Sequence, residues 1–285
     1  MSLPTPVADA VERLLGARPE RAERVGGGSI NEAAHVVAGG RDAFVKWHRR
    51  APAGFFEAEA DGLARLRATD SVRVPEVLGL AVGEDVAVLA LSWHPPASPS
   101  AARWREAGEA LARLHAVRGP RPGLERDNVM GAVPQDNRAV AGGSWIAFFR
   151  ERRLRPLLGD LPAALRARVE ALDLEALLTE PEGGARLLHG DLWAGNLHHA
   201  VSGPIFVDPA VYFGHPEVDL AMTRLFGGFP APFHDAYHGV AGRPDRDLDA
   251  RLEVLNLYPL LVHVRLFGGG YVRDVERIVD RYGGR

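Results

Sequence analysis

Three side chains that could carry acid–base and metal chemistry stand near one another in the second half of the chain. Asp191 follows shortly after the apolar pair Leu187-Leu188, Asn196 comes five residues later, and Asp208 ends the apolar run 204–207. An apolar run that leads into an Asp is typical of a strand delivering a carboxylate to a site. Carboxylate and amide oxygens suit Mg²⁺, and a positioned carboxylate can take a proton from a hydroxyl. We therefore expect Asp191, Asn196 and Asp208 to lie within reach of one another.

A glycine-rich turn near the N-terminus could provide a second functional element. Residues 24–31 read as a strand that breaks into glycines, and 35–37 and 43–47 read as two further strands joined by a hairpin. Glycines let backbone N–H groups approach phosphate oxygens. No Gly-Lys-Ser/Thr follows, which excludes the other large class of phosphate-binding loop. The alternative is a flexible hairpin turn without a ligand. The residues predicted to contact phosphate are Gly26, Gly27, Gly28 and Ser29.

Lys46 is the only lysine in a chain whose other basic residues are all arginine. It ends a strand among apolar neighbours, so either it is a solvated strand-end residue or the site needs a compact ammonium group. Residues 56–66 read as a helix in which Glu59 shares a face with apolar side chains. An inward-facing Glu needs a partner, and we predict a Lys46–Glu59 ion pair. The alternative is that Glu59 borders the apolar stripe and reaches water.

Two further strands, 75–80 and 86–91, complete a predicted sheet of about five strands. The pattern breaks after them, and a domain boundary is placed there. The prediction is an N-terminal nucleotide-binding lobe, 1–93, and a C-terminal helical catalytic and substrate lobe, 94–285. An adenine ring would bind the backbone near this connection, between Ala90 and Trp93.

The remainder of the chain is predicted to be mainly helical, with a long irregular loop at 127–137. His115 and Asp219 are interpreted as buried structural groups, Asp219 orienting the loop around Asp191. The helices are predicted around 107–115, 145–154, 161–178, 218–226, 252–267 and 271–282.

The composition is that of an ordinary globular protein. The chain has 285 residues, a hydrophobic fraction of 46%, a charged fraction of 25% and a formal net charge of −3. Nucleic acid is therefore not expected as a partner, and the lack of cysteine excludes thiolate chemistry. Neither a secretory signal nor an apolar stretch of membrane-spanning length is apparent. We expect a cytoplasmic protein without a membrane partner.

The order of glycine turn, Lys46, Glu59, Asp191, Asn196 and Asp208 is the order of groups that phosphoryl transfer uses in the protein-kinase fold. In that order Asp191 is the base, Asn196 and Asp208 hold Mg²⁺, and Lys46 with Glu59 holds the phosphates of ATP. Protein kinases have an Arg before the catalytic Asp and Phe-Gly after the metal Asp. This chain has Gly190 and Pro209-Ala210 there, which favours a constitutive small-molecule kinase.

Longer motifs make the chain resemble the fructosamine kinase (ketosamine 3-kinase) family, within the aminoglycoside phosphotransferase-like branch of the kinase fold. The matching segments are Leu-His-Gly-Asp-Leu-Trp-Ala-Gly-Asn at 188–196, Val-Asp-Pro-Ala at 207–210, Gly-His-Pro-Glu-Val-Asp-Leu-Ala-Met-Thr at 214–223, Leu-Phe-Gly-Gly-Phe at 225–229, Gly-Ala-Val-Pro-Gln-Asp-Asn at 131–137, Leu-Tyr-Pro-Leu-Leu-Val-His at 257–263 and Leu-Phe-Gly-Gly-Gly-Tyr at 266–271. The family pattern has Asn where Arg265 stands and commonly Ser where Ala194 stands.

The resemblance implies an α+β, bilobal, protein-kinase-like fold. A small N-terminal antiparallel sheet lobe with one helix would join a larger helical C-terminal lobe. It also implies ATP- and Mg²⁺-dependent phosphorylation of the 3-hydroxyl of a ketosamine, a small-molecule substrate that includes glycated lysine, as a deglycation activity. Trp193 would pack on a sugar face, or alternatively anchor its loop as a buried residue.

Two other interpretations remain open from the sequence. A kinase of the same fold could act on an aminoglycoside, choline or a free sugar, because acceptor specificity belongs to the site and not to the fold. A nucleotide-binding module without catalysis is the second alternative. The joint presence of Lys46, Asp191, Asn196 and Asp208 favours an enzyme over such a module.

Overall fold

An antiparallel sheet with strand order β1-β2-β3-β5-β4 forms the N-terminal part of the computed structural model, which describes residues 1–26 and 31–283. The hairpin between β2 and β3 turns through Gly39 and Gly40, whose φ angles are 57° and 71°. Both values are positive, as the two central residues of the tight hairpin turn require. The strands are β1 (Pro19–Arg24), β2 (Glu32–Ala38), β3 (Arg41–Arg49), β4 (Val77–Val82) and β5 (Val86–Ser92).

Two helices accompany this sheet, α1 (Thr5–Leu15) and α2 (Phe55–Ala68). Buried residues of α1, including Val7 and Val11, pack in one core with Val45 and Trp47 of β3. Gly16, with φ 79°, ends α1 in the left-handed conformation. The predicted antiparallel sheet of about five strands is confirmed, although β1 lies earlier than the strand predicted at residue 24.

The chain divides into two compact units, and the first is larger than an N-terminal segment alone. It comprises Met1–Arg103 together with Gly195–Pro209, and the second comprises Trp104–Ala194 and Ala210–Arg285. Within the inserted segment of the first unit, β9 (Leu197–Ala200) and β10 (Gly203–Phe206) form an antiparallel hairpin. The lobe boundary after Trp93 stays a prediction; the first compact unit continues ten residues past it.

The second unit is mainly helical, which agrees with the predicted larger helical lobe. Its short strands pair as two ribbons, β6 (Asn128–Met130) with β7 (Val133–Gln135), and β8 (Arg186–Leu188) with β11 (Tyr212–Gly214). The helices are α3 (Ala101–Leu114), α4 (Trp145–Phe148), α5 (Ala163–Glu170), α6 (Leu174–Leu177), α7 (Glu217–Leu225), α8 (Ala231–Ala241), α9 (Leu248–Leu255), α10 (Leu257–Phe267) and α11 (Val272–Tyr282), with a π-helix at Phe149–Leu154 and 3₁₀ turns at Arg155–Asp160, Ala194–Asn196 and Gly269–Tyr271.

Three predicted elements of the second unit are wrong in detail. Residues 127–137 contain the β6–β7 hairpin and are not an irregular loop. The helix predicted at 161–178 is interrupted, because the side chain of Asp173 accepts from Ala176 N and starts α6 anew. The helix predicted at 252–267 is divided at Asn256, since Pro259 lacks a backbone donor and its ring clashes with the preceding turn. Helix α8 was not predicted at all.

None of the helices among the described residues is long and apolar enough to cross a membrane.

Candidate active site

Lys46 is the centre of a buried charge cluster in the first unit. Its Nζ donates to both carboxylate oxygens of Glu59 at 2.9 Å and to Oδ1 of Asp208 at 2.7 Å. Lys46 is 4% exposed and Glu59 is 9% exposed, while the Asp208 side chain is 42% exposed. The predicted Lys46–Glu59 ion pair is confirmed, and the alternatives of a solvated Lys46 and a water-facing Glu59 are wrong.

The pKa shifts in the cluster arise because one ammonium group is hydrogen-bonded to two carboxylates. Burial raises the pKa of Glu59 to about 7, Lys46 opposes this rise and Asp208 adds to it. Burial lowers the pKa of Lys46, but Asp208 and Glu59 together outweigh burial and raise it above its usual value. Lys46 therefore stays charged at any physiological pH, as a phosphate-holding lysine must.

Asn196 and Asp208 are brought together by the β9–β10 hairpin. Asn196 directly precedes β9, and Asp208 follows β10 after one residue. Val207 N donates to Asn196 O at 3.0 Å, which extends the hairpin ladder by one pair. The hairpin thus brings the backbone segments that carry the two residues together, and the shared role of their side chains stays a prediction.

The backbone of Asp208 has a conformation that non-glycine residues rarely adopt. Its φ angle is 55°, in the left-handed region. Such strain costs on the order of 1–3 kcal/mol and clusters at functional sites. The ion pair with Lys46 contributes to holding the side chain in this orientation.

The oxygen donors of Asn196 and Asp208 fit a hard divalent cation. Asn196 is 4% exposed and Asp208 is half-buried, and both residues stand at the same end of the β9–β10 hairpin. Mg²⁺ commonly takes only one or two protein ligands and keeps water and phosphate oxygens in its other positions. Across residues 1–26 and 31–283, no group of three or more His, Cys, Asp or Glu is arranged to hold a metal.

In the second unit, the segment that carries Asp191 is fixed by a buried carboxylate. Asp219, which has no exposed surface, accepts from His189 N at 2.7 Å and from Gly190 N at 2.8 Å. His189 is also buried, and its Nδ1 accepts from Asp191 N at 3.3 Å. The prediction that Asp219 is a buried group that orients this segment is confirmed, and His189 adds a further hydrogen bond within it.

His115 and Tyr237 extend this brace to helix α8. His115 Nε2 lies 3.1 Å from Asp219 Oδ2, and its Nδ1 lies 2.9 Å from the hydroxyl of Tyr237. A carboxylate can only accept, so the Nε2–H of His115 donates to Asp219. The interpretation of His115 as a satisfied buried histidine is confirmed, whereas Tyr237 was missed because α8 was missed.

Gly190 sits where no other residue fits. Its φ angle is 84°, and a Cβ built on it would lie 2.0 Å from the carbonyl oxygen of Ala210. Ala210 N in turn donates to His189 O at 2.8 Å. The segment before Asp191 and the segment after Pro209 are thus packed backbone against backbone.

Asp191 and Trp193 both reach the surface of the second unit. Asp191 is half-buried, and Trp193 is 36% exposed with its backbone N–H donating to Asp191 O at 3.2 Å. The alternative that Trp193 is a buried anchor for the loop is wrong. An exposed indole two residues after the candidate base can contact a ligand.

The residues predicted to contact adenine and phosphate lie in different environments. Ala90 is fully buried in the middle of β5, with Val45 and Gly79 as its sheet partners. Trp93 follows the end of β5, is half-buried and stacks on the ring of His35 at 4.1 Å. Gly26 is exposed, whereas Gly27, Gly28 and Ser29 lie outside the described residues. The nucleotide-contacting roles of these six residues stay predictions.

Comparison with known proteins places the chain in a family. The profile of the fructosamine kinase family matches residues 5–283. A protein from Synechocystis sp. assigned as a ketoamine kinase is 36% identical over 273 residues, which cover 93% of this chain and 90% of that protein.

Solved structures agree in fold. A Thermobifida fusca protein assigned as a fructosamine-3-kinase is 32% identical with a TM-score of 0.81, covering 96% of this chain and 98% of that one. The aminoglycoside phosphotransferase APH(4)-Ia, in a ternary complex with ADP and hygromycin B, is 17% identical with a TM-score of 0.65, covering 99% and 100%. The predicted α+β, protein-kinase-like fold is confirmed, and the chain belongs to the fructosamine kinase family of ATP-dependent phosphotransferases.

Proposed function

We propose that this protein transfers the γ-phosphoryl group of ATP to the 3-hydroxyl of a ketosamine, the sugar adduct of an amine, and thereby starts its deglycation. The observation that carries the proposal is the Lys46–Glu59–Asp208 cluster, whose buried ammonium is held by two carboxylates. Membership of the fructosamine kinase family supports the acceptor class.

The first unit supplies the groups for the nucleotide. Glu59 holds Lys46 as a fixed ammonium that binds the α- and β-phosphates, as the corresponding pair does in kinases. Asn196 and Asp208 would hold Mg²⁺, which when bound would neutralise developing charge on the phosphoryl oxygens. The glycine turn, with Gly26, and the segment after β5 are the proposed contacts of the phosphates and the adenine.

The second unit supplies the base. Asp191 accepts a hydrogen bond from the acceptor hydroxyl, orients its oxygen towards the γ-phosphorus and takes the proton as the new P–O bond forms and the bond to ADP breaks. Because Asp219 fixes the two backbone amides before Asp191, the carboxylate does not have to be ordered during the reaction. Trp193 offers its ring to the apolar face of the sugar.

The test is turnover of ATP with magnesium against a matched acceptor panel. The panel contains ribulose-lysine, fructose-lysine, a free ketose, choline and an aminoglycoside, with the Asp191→Asn variant as a matched control. ADP formation by the wild type with a lysine adduct alone supports the proposal and ranks the two sugars. Turnover with choline, the aminoglycoside or the free ketose alone overturns the proposal that the phosphoryl acceptor is a ketosamine. ATP binding without turnover of any acceptor indicates a binding module instead.

The position of phosphorylation and the fate of the product need separate measurements. Two-dimensional ¹H–³¹P NMR of the fresh product identifies the phosphorylated hydroxyl, and an assay for free amine follows release of lysine from it. Coupling of phosphorus to the proton at C3, followed by amine release, supports a deglycation role. Omission of Mg²⁺ with chelator present is expected to abolish turnover. We also propose a cytoplasmic location, where ATP is available.

A further inference from the structure

The β6–β7 hairpin carries three buried amide side chains that the function described so far does not use. Asn128, Gln135 and Asn137 are 8%, 1% and 0% exposed. Buried amides are retained only where their donors and acceptors are satisfied, so their partners reveal what this hairpin holds.

One hydrogen-bond chain runs through the two Asn residues in a fixed direction. Arg153 Nη2 donates to Asn137 Oδ1 at 2.6 Å, Asn137 Nδ2 donates to Asn128 Oδ1 at 2.8 Å, and Asn128 Nδ2 donates to the carbonyl of Val211 at 2.8 Å. A guanidinium can only donate and a carbonyl can only accept. The two ends therefore fix the orientation of both amides.

A second chain runs through Gln135. The Tyr258 hydroxyl donates to Gln135 Oε1 at 2.9 Å. Gln135 Nε2 then donates to Asn128 Oδ1 at 3.1 Å and reaches the carbonyl of Ala210 at 3.4 Å. Both chains end on consecutive carbonyl groups, those of Ala210 and Val211.

Ala210 connects this network to the segment of the candidate base. Its carbonyl oxygen lies against Gly190, where a Cβ would be only 2.0 Å away, and its N–H donates to His189 O. Asp191 follows directly. Tyr258, at the other end of the network, is close enough to Asp191 that, after burial, the carboxylate charge is among the causes that raise the pKa of the Tyr258 hydroxyl.

The hydrogen-bond network starts at a buried positive charge, the guanidinium of Arg153. Arg153 has no exposed surface, and its guanidinium lies 4.7 Å from the ring centre of Phe148 and 4.1 Å from that of Tyr212. It donates to the amide oxygen of Asn137 and to the carbonyls of Asp136 and Arg152. An Arg caged by aromatic rings keeps one geometry, so the network starts from a rigid point.

We propose that Asn128, Gln135 and Asn137 form an amide clamp: positioning residues that fix the Ala210–Val211 backbone and, through its contact with Gly190, the place of Asp191 in the phosphoryl-transfer reaction. This inference rests on the proposed function for its kinetic part. The clamp acts on the turnover step and not on ATP binding, because all of its contacts lie within the second unit.

A clamp and a plain packing role differ in what restores activity. Gln135→Met keeps the length of the side chain but leaves the Tyr258 hydroxyl without its acceptor. Adding Tyr258→Phe removes that unsatisfied hydroxyl, which should recover much of the lost thermal stability. The double variant still cannot donate to the Ala210 carbonyl, so a positioning role predicts that its activity stays low.

The experiment measures Tm, kcat and KM for ATP for the wild type, Gln135→Met, Gln135→Met with Tyr258→Phe, and Thr223→Val. Thr223 is a buried control whose hydroxyl bonds only within its own helix, to Leu220 O. The clamp predicts a kcat lower by about 10- to 100-fold in both Gln135 variants at unchanged KM for ATP, with a partial recovery of Tm in the double variant. Recovery of kcat along with Tm would overturn it, as would an equal loss in Thr223→Val.

Hydrogen exchange tests this inference separately from the proposed function, since the measurement requires no substrate that accepts the phosphoryl group. The reporter is the Ala210 amide, which donates to His189 O. Faster exchange of this amide in the double variant, with α11 unchanged, supports the clamp even if the wild type phosphorylates no ketosamine. Unchanged exchange at Ala210 overturns the clamp whatever the acceptor proves to be.

Discussion

Nζ of Lys46 lies 2.7 Å from Oδ1 of Asp208, a residue 162 positions later in the chain. The same nitrogen holds both oxygens of Glu59, so one buried ammonium joins a strand, a helix and the hairpin end that carries Asp208. Asp208, whose backbone φ is positive, shares this ammonium partner with Glu59. Three residues with candidate nucleotide roles are thereby interdependent.

This interdependence predicts non-additive stability effects. Lys46→Met should lower the free energy of unfolding by about 3 kcal/mol, because it leaves Glu59 buried without a cation. Lys46→Met with Glu59→Gln should lose less than the sum of the single variants, with a coupling on the order of 1–3 kcal/mol. Urea denaturation of the four proteins at pH 7.5 measures this cycle, and strict additivity would contradict the pairing.

Removal of the candidate base predicts a loss confined to turnover. Asp191→Asn keeps the shape of the side chain but cannot take a proton, so kcat with the acceptor should fall by at least about 100-fold. KM for ATP and the Tm should stay near those of the wild type. Near-normal turnover in this variant would remove Asp191 from its assigned role.

Gly190 offers a steric test with a matched control. Gly190→Ala forces a Cβ against the Ala210 carbonyl. We expect kcat to fall by at least about tenfold, the effect of misplacing a reacting group by about 1 Å. Gly142→Ala has a similar positive φ of 79° but open space around the added carbon. The control therefore reports the backbone cost alone, about 1 kcal/mol of stability. Equal kcat in the two variants would show that the contact is unimportant.

The buried His215 is expected to lower the free energy of unfolding at acidic pH. Burial lowers its pKa to about 4, with Glu217 and Glu180 opposing and Arg251 and His115 adding to the shift. The neutral ring is favoured in the folded protein, so its contribution is complete above pH 6.5 and is lost as the pH falls towards 4. Between pH 7.5 and 5, the contribution of His215 to the free energy of unfolding falls by about 2 kcal/mol.

The check is the pH dependence of the free energy of unfolding in His215→Asn. Asn retains an acceptor for the Glu217 N–H, which His215 Nδ1 accepts at 3.2 Å, but does not titrate. Between pH 7.5 and 5, the free energy of unfolding of the variant should fall by about 2 kcal/mol less than that of the wild type. Parallel curves for the two proteins would refute the assignment to His215.

Arg265 stands where the resemblance to the fructosamine kinase family implies Asn, and its side chain has partners of its own. It donates to Asp160 Oδ2 at 2.7 Å and to the Pro156 carbonyl at 3.0 Å, on the surface of the second unit. Exposed pairs contribute on the order of 0–1 kcal/mol. Arg265→Asn should therefore shift Tm slightly and leave kcat unchanged; a large loss of kcat would assign the residue a role in the reaction.

The sequence alone determined the local features of this protein. The apolar runs, with the glycine turn and hairpin between them, predicted the strands of the N-terminal sheet, because strand and turn propensities depend on neighbouring residues. The helical spacing of Glu59 with apolar residues predicted its inward orientation, and the lone Lys46 supplied the only ammonium that could pair with it. The motifs around Asp191 and Asp208 predicted the family.

Only the tertiary structure decided features whose partners are distant in the chain. From the sequence, Asn128 and Gln135 look like loop residues. They are buried because distant groups satisfy their amides, namely the carbonyls of Val211 and Ala210 and the hydroxyl of Tyr258. Tyr237 likewise depends on His115, 122 residues away. Local propensity carries no information about such pairs, since their energy arises only when packing removes both groups from water.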